Sequence, residues 1–175
     1  VVADISKTLD EAASAEINVS GTDAEGAILV YEIVTAPSNG TFTLNSSTGI
    51  GYYTHNGSET ISDSVVVRAK ESSENVYSSN ATITLTVNAV NDSPVSPDSA
   101  ITLDEGTSSF STSFGASDAE TSSVTINVTS QGSYGSAVVS GGDFVYTHDG
   151  SESTSDTFTY STSDGTLSTT GTITV

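Results

Sequence analysis

The chain contains no cysteine, methionine or tryptophan, and only three of its 175 residues are basic. Without cysteine, neither disulfides nor thiolate metal sites can form. Three Lys and Arg residues against 22 Asp and Glu residues give a formal net charge of −19, which excludes the basic patch that nucleic acid binding needs and disfavours anionic membrane surfaces. A chain this acidic must tolerate self-repulsion or bind cations. Its carboxylates, amides and carbonyls are the hard oxygen ligands that Ca²⁺ prefers.

The chain also lacks a hydrophobic run long enough to cross a membrane, and no secretory signal opens it. We therefore expect no membrane insertion. Because even an initiator methionine is absent, we expect the chain to be a segment of a longer protein.

An internal repeat organises the sequence, with an offset of about 93 residues. The matching blocks are residues 53–59 (YTHNGSE) with 146–152 (YTHDGSE), 22–25 (TDAE) with 117–120 (SDAE), and 9–11 (LDE) with 103–105 (LDE). Between the copies, residues 88–97 contain two of the three prolines, which is typical of a short, semi-rigid linker. The repeat predicts two domains, residues 1–92 and 93–175.

Apolar residues alternate with Ser and Thr along both copies, which predicts β-strands. The clearest inward-facing sets are Val65, Val67, Ile83, Leu85 and Val87 in the first copy and Phe144, Tyr146, Phe158, Tyr160 and Ile173 in the second. Further strands are predicted at residues 28–34, 41–44, 109–114, 123–128 and 136–139. About seven strands per repeat predict an all-β chain of two tandem immunoglobulin-like Greek-key β-sandwiches. A closed barrel is the alternative.

Catalytic patterns are absent from the sequence. Its two histidines, His55 and His148, occupy the same place in both repeats, where a strand ends and a turn begins, and this favours a structural role. The sequence has no Gly-x-Ser-x-Gly, His-Glu-x-x-His or phosphate-binding motif. We therefore predict that the protein is not an enzyme.

The acidic motifs are more informative. Asp23 and Glu25 recur as Asp118 and Glu120, in each case two residues apart in a predicted loop. Bringing like charges together is unfavourable unless a cation is present. Recurrence in both repeats favours metal binding, and solvated turn acids are the alternative.

The sequence resembles known repeat families. Residues 146–152 (YTHDGSE), followed by 155–158 (SDTF) and 163–165 (SDG), resemble the chondroitin sulfate proteoglycan repeat and the cadherin-like repeats of bacterial surface adhesins and polysaccharide-associated proteins. Residues 90–94 (VNDSP) are similar to the linker between cadherin repeats. The resemblance covers nearly the whole chain and implies tandem cadherin-like sandwiches.

Cadherin repeats bind Ca²⁺ at each junction, and the resemblance implies corresponding ligands here. The first repeat and the linker would supply Glu11, Glu59 or Asp63, Asn91 and Asp92, and the second would supply Asp118, Glu120 and Asp164. Facing a preceding repeat would be Asp23, Glu25 and Glu71, and facing a following one Glu105 and Glu152. Ala89 replaces a usual linker acid and the Asp-Arg-Glu motif is absent, so we expect fewer or weaker ions.

These observations predict a calcium-binding extracellular repeat module of a secreted or surface-anchored bacterial protein. It would mediate calcium-dependent adhesion or rigid extension, with calcium fixing the angle between the repeats. Its partners would be neighbouring repeats of the same long protein, and like repeats on another cell or a polysaccharide. A carbohydrate-binding module is the alternative, with Tyr52, Tyr77 and Tyr134 as the candidate exposed rings. A passive spacer is a third possibility.

Overall fold

The computed structural model describes residues 1–107, 110–112 and 115–175, with only the backbone described for residues 110–112. In these ranges the chain forms fourteen β-strands and no helix. Two compact units are present, Val1–Val90 and Asn91–Val175, and each contains seven of the strands. The predicted domain boundary, between residues 92 and 93, lies two residues after the first unit ends.

The first unit consists of two sheets. One has the strand order β1-β7-β6-β3, in which β1 runs parallel to β7, and the other has the order β2-β5-β4. The strands are β1 (Ile5–Asp10), β2 (Ser14–Asn18), β3 (Leu29–Thr35), β4 (Gly40–Leu44), β5 (Ile50–His55), β6 (Ser62–Glu71) and β7 (Ala81–Asn88).

The second unit repeats this topology with the orders β8-β14-β13-β10 and β9-β12-β11, and β8 is again parallel to the strand beside it. Its strands are β8 (Ser99–Ala100), β9 (Phe110–Thr112), β10 (Thr125–Ser130), β11 (Gly135–Ser140), β12 (Asp143–His148), β13 (Thr157–Ser163) and β14 (Ser168–Thr174). The matching strand order confirms the predicted pair of sandwiches.

A hydrophobic core forms from both sheets of each unit. All ten residues predicted to face inward are buried, because the two-residue period of a strand places alternate side chains on one face. In β7, for example, Ala81, Ile83, Leu85 and Val87 are buried, and the threonines between them are half-buried or exposed. The alternation therefore identified the inward face correctly.

Strand ends differ slightly from the predictions. β3 and β10 extend past their predicted ends at residues 34 and 128, and in both strands the register shifts there, between Ile33 and Thr35 and between Val128 and Ser130. A bulge allows the strand to continue after the alternation breaks. Of the strand predicted at residues 109–114, the structure describes β9, and the remaining predicted residues lie outside the described ranges.

Among the described residues, no helix is long and apolar enough to cross a membrane.

Candidate metal centres

Hydrogen bonds link several predicted ligands in pairs within the second unit. Asp118 and Glu120 lie in the loop before β10, Asp164 lies between β13 and β14, and Asn91 and Asp92 begin the unit. The Asn91 side-chain amide donates to Asp164 Oδ2 at 2.7 Å, and the Asp92 backbone N–H donates to Glu120 Oε1 at 2.9 Å. These contacts bring the start of the unit to its two acidic loops.

Asp118 organises its own loop. Its Oδ1 accepts hydrogen bonds from the backbone N–H groups of Glu120 at 3.2 Å and Thr121 at 2.8 Å. Its Oδ2 is buried, and no described residue donates a hydrogen bond to it. A buried carboxylate oxygen without a partner is costly, and a cation could satisfy it. Carboxylate and amide oxygens are the ligand type that Ca²⁺ prefers.

Hydrogen bonding stabilises the charged form of Asp164. The bond from Asn91 and the backbone N–H groups of Thr166 and Leu167 lower the pKa of this carboxyl below its ordinary value. The group is therefore ionised at neutral pH and can act as a metal ligand.

In the first unit, Asp23 also accepts hydrogen bonds from its own loop. Asp23 Oδ1 accepts hydrogen bonds from the N–H groups of Glu25 at 3.0 Å and Ala27 at 2.9 Å. Burial and the charges of Asp23, Glu74 and Glu25 raise the pKa of Glu71, at the end of β6. These carboxylates therefore repel one another, and a cation would relieve the repulsion. Glu74 was missed by the sequence analysis, although it lies in the turn that follows Glu71.

At another loop of the first unit, Glu11 is only 8% exposed. Its Oε2 accepts a hydrogen bond from the Val90 N–H at 3.4 Å, and its Oε1 has no hydrogen-bond partner among the described residues. A carboxylate oxygen of Glu59 lies within 4.8 Å of one of Glu11. The structure therefore brings together two of the predicted ligands. The contact with the Val90 N–H has no counterpart in the sequence analysis, because backbone donors leave no sequence signal.

Asp63 has a different role. Its two oxygens accept hydrogen bonds from the backbone N–H groups of Ser38, Asn39 and Ser64 and from the Tyr53 hydroxyl. These bonds join the loop before β4 to the start of β6. We therefore leave Asp63 out of the proposed calcium ligands. Asp156 makes the equivalent four bonds in the second unit, from Ser133, Tyr134, Thr157 and Tyr146.

Both histidines stabilise turns. Each Nδ1 accepts a hydrogen bond from the N–H two residues ahead, at Gly57 and Gly150, and each Nε2 bonds a hydroxyl, of Thr60 and Ser153. An accepting Nδ1 carries no proton, so the ring donates through Nε2. These bonds support the structural interpretation of His55 and His148.

The acids predicted to face a following repeat are less organised. Glu105 lines a cavity of about 190 Å³ together with Asp104, His148 and Asp156, and Glu152 is exposed.

The comparisons with known proteins agree with this architecture. Residues 91–175 match the family model described as "Bacterial Ig domain". No curated protein sequence matches the chain. Among solved structures, human CDH23 EC21-23 matches with 16% identity and a TM-score of 0.56, over 97% of this chain and 60% of that one.

Two further structures match at similar identity. Human mucin-like protocadherin EC1-2 matches with 11% identity and a TM-score of 0.50, over 99% of this chain and 95% of that one. An endo-fucoidan hydrolase of glycoside hydrolase family 107 matches with 17% identity and a TM-score of 0.43, over 98% of this chain but only 27% of the hydrolase chain.

The strand order and the match to human CDH23 EC21-23 indicate the same architecture, and the family match over residues 91–175 supports it for the second unit. The chain is a tandem of two cadherin-like and immunoglobulin-like repeats.

Proposed function

We propose that the chain is a calcium-binding extracellular repeat module of a secreted or surface-anchored bacterial protein, and that it mediates calcium-dependent adhesion or rigid extension. The observation that carries this proposal is the buried Asp118 Oδ2, which lacks a protein donor among the described residues. The hydrogen bonds that link Asn91 to Asp164 and the Asp92 N–H to Glu120 support it.

The donor chemistry supports calcium rather than a softer metal. The chain offers no thiolate, and neither histidine nitrogen is needed for a site made of carboxylate and amide oxygens. Such ligands suit hard cations, and extracellular modules bind Ca²⁺ with dissociation constants of about 10⁻⁴–10⁻³ M. Mg²⁺ should substitute poorly, because it dehydrates reluctantly and prefers rigid octahedral sites.

The acidic groups of the first unit support the same chemistry. Glu11 has a buried oxygen without a described partner, and Asp23, Glu25, Glu71 and Glu74 form a mutually repelling group. Asp23 and Asp118 accept the same hydrogen bond, from the backbone N–H two residues ahead, which favours one shared function for both loops. The proposed partners are neighbouring repeats of the same protein and, for adhesion, like repeats on another cell or a polysaccharide.

Calcium titration by calorimetry and thermal unfolding in EDTA and in 10 mM Ca²⁺ test the proposal. A ligand that binds only the native state stabilises it by mass action. At the expected affinity, 10 mM Ca²⁺ should add about 1.4–2.7 kcal/mol to the free energy of unfolding. Asp118→Asn should remove most of the calcium bound by this group without unfolding the second sandwich.

Glu32→Gln is the matched control, because it also removes one negative charge but lies on β3, where Glu32 pairs with Arg68. This variant should bind calcium like the wild type. Identical melting curves in EDTA and calcium would contradict calcium binding altogether. Equal losses in Asp118→Asn and Glu32→Gln would instead indicate a diffuse charge effect.

The resemblance to cadherin repeats further predicts that calcium fixes the angle between the repeats. Small-angle scattering in EDTA and in calcium, on wild type and on Asp118→Asn, tests this separately. If the wild-type distance distribution is the same in EDTA and in calcium, calcium does not fix the angle between the repeats. That result would not contradict calcium binding itself.

A further inference from the structure

The outer face of the sheet β2-β5-β4 presents an exposed aromatic ring. Tyr52 lies at the centre of this face, between Glu16 on β2 and Thr43 on β4, and the residue is 51% exposed. Its hydroxyl donates to Glu16 Oε2 at 2.7 Å. That bond restrains the ring and leaves a carboxylate, a good hydrogen-bond acceptor, at its edge.

A groove of about 380 Å³ runs beside this ring, a volume in the range of small-ligand sites. Its lining combines apolar surface with hydroxyl and amide groups, and consists of Thr43, Leu44, Asn45, Thr48, Ile50 and Tyr52.

The turn that closes the groove is fixed by its own hydrogen bonds. Asn45 Oδ1 accepts from the N–H groups of Ser47 at 3.0 Å and Thr48 at 3.1 Å. Gly49 has a φ of +73°, and a Cβ there would collide with the Val19 carbonyl oxygen, so the turn packs tightly against the body of the unit. A rim that is already ordered loses little entropy when a ligand binds.

Among the side chains that the structure describes, the equivalent face of the second unit has no such ring. Tyr53 and Tyr146 occupy equivalent positions in β5 and β12, so Val145 takes the place of Tyr52. Val145 pairs with Val138 on β11, which in turn is 56% exposed. The first unit therefore has a feature that the shared fold does not require.

We propose that this groove binds a neutral polysaccharide, with Tyr52 stacking on the apolar face of a sugar ring. The flat aromatic surface suits the C–H face of a pyranose, and the surrounding hydroxyl, amide and carboxylate groups suit its hydroxyls. The net charge of −19 and the Glu16 carboxylate beside the ring repel uronate or sulfate groups. The occupant is therefore an uncharged glycan chain, and its binding does not require calcium.

Retention of the full chain on insoluble cellulose, xylan and chitin, with alginate as the acidic comparison, tests the proposal. We expect retention on at least one neutral polymer, none on alginate, and the same result in EDTA and in calcium. Independence from calcium separates this proposal from the calcium sites proposed above. Binding to the retaining polymer is then measured as an isotherm for each variant.

Tyr52→Val, which introduces the residue of the second unit, should weaken binding about tenfold, as expected for the loss of one desolvated aromatic contact. Tyr52→Phe keeps the ring and should stay within about threefold of wild type, because it loses one exposed hydrogen bond. Tyr77→Val removes a ring of similar exposure, 43%, elsewhere on the same unit and should bind like the wild type. Thermal unfolding establishes that each variant is folded.

Several results would overturn the proposal. These are no retention on any neutral polymer, stronger retention on alginate, or equal affinity for wild type and a folded Tyr52→Val. Equal losses in Tyr77→Val and Tyr52→Val would also overturn it, because the effect would not be specific to the groove.

Discussion

Val65 and Val67 in β6 of the first repeat stand where Phe158 and Tyr160 stand in β13 of the second. All four are fully buried, so one sandwich accepts either small aliphatic or large aromatic side chains at the same inward positions. The partner strands compensate in part. Val67 pairs with Ala81, whereas Tyr160 pairs with Gly171.

The other sheet shows a similar exchange. In the first repeat Phe42 on β4 packs over Gly51 on β5, where a Cβ would collide with the Phe42 ring. In the second repeat Ala137 on β11 is buried, and the ring belongs to Phe144 on β12. The aromatic ring has moved to the adjacent strand.

These exchanges show that the direction in which a side chain points and the size of that side chain have different physical causes. Direction follows from alternation along one strand. Size is set jointly by neighbouring strands, because a core must be filled to near-crystalline density.

Phe158→Ala should have the largest effect. Phe158 is fully buried and contacts Phe144 edge-on, with ring centroids 5.3 Å apart. Truncation should lower the free energy of unfolding of the second unit by about 3–5 kcal/mol. Val65→Ala, at the equivalent position, removes fewer atoms and should cost about 2 kcal/mol. Chemical denaturation measures both, and a cost under about 1 kcal/mol for Phe158→Ala would mean that the inward face is misassigned.

Tyr146→Phe should cost about 1.5–3 kcal/mol at neutral pH, the range for a hydrogen bond to a charged group. The Tyr146 hydroxyl lies 2.6 Å from Asp156 Oδ2, whereas the equivalent bond from Tyr53 to Asp63 is 3.0 Å. Tyr53→Phe should therefore cost less. Denaturation curves measure the free energy of unfolding of both variants, and a larger loss of stability in Tyr53→Phe would contradict this expectation.

Acid should weaken this bond in both repeats. Burial opposes the charge of Asp156, but its hydrogen bonds outweigh burial and lower its pKa, and the same holds for Asp63. Because the folded pKa lies below the ordinary value of 3.8, the contribution is fully present above that pH. It is lost as pH falls through the folded pKa. Unfolding measured from pH 7 downward should show the deficit of Tyr146→Phe shrinking only in acid, and a deficit independent of pH would exclude an ionised partner.

Gly171→Ala tests the compensation between strands. A Cβ at Gly171 would lie 2.6 Å from the Tyr160 ring, and such overpacking costs about 1–3 kcal/mol. Combining it with Tyr160→Val recreates the Val67 and Ala81 pair of the first repeat. The double variant should be less destabilised than the sum of the single ones, because contacting positions couple. Simple additivity in a double-mutant cycle would mean that the two positions do not share space.

Thr162→Val should have the smallest effect and the opposite sign. Thr162 is fully buried, and its hydroxyl has no hydrogen-bond partner among the described residues, whereas Ala69 takes the equivalent position in the first repeat. Replacing the hydroxyl by a methyl of similar size should raise the free energy of unfolding by about 1 kcal/mol. A rise in melting temperature is the expected readout, and a fall would show that the hydroxyl has a partner.

Most of the fold could be predicted from the sequence. The strand number, the repeat and the buried face of β6, β7, β12 and β13 all follow from alternation and internal similarity. The bulges of β3 and β10 could not be predicted, because an extra residue breaks the alternation on which the prediction depends. The same limit explains why the predicted ends of both strands were too early.

The candidate sites were predicted less completely. Recurrence predicts Asp118 and Glu120 as ligands, but Asp63 carries the same charge and accepts four hydrogen bonds from the protein. Composition cannot distinguish an acid that accepts four hydrogen bonds from one that retains a buried oxygen without a partner. Only the positions of the backbone N–H groups around each carboxylate separate the two.

The class of this protein follows from its sequence: two acidic, cysteine-free β-repeats whose alternating residues define one buried face each. Those properties are local, because charge, repeat spacing and strand period can be read from neighbouring residues. The tertiary fold sets which strands lie side by side and share their aromatic rings, which acids meet across loops, and that the exposed ring of Tyr52 lies beside a groove. These are properties of residue pairs distant in the chain, and folding brings such pairs together through contacts that no single segment encodes.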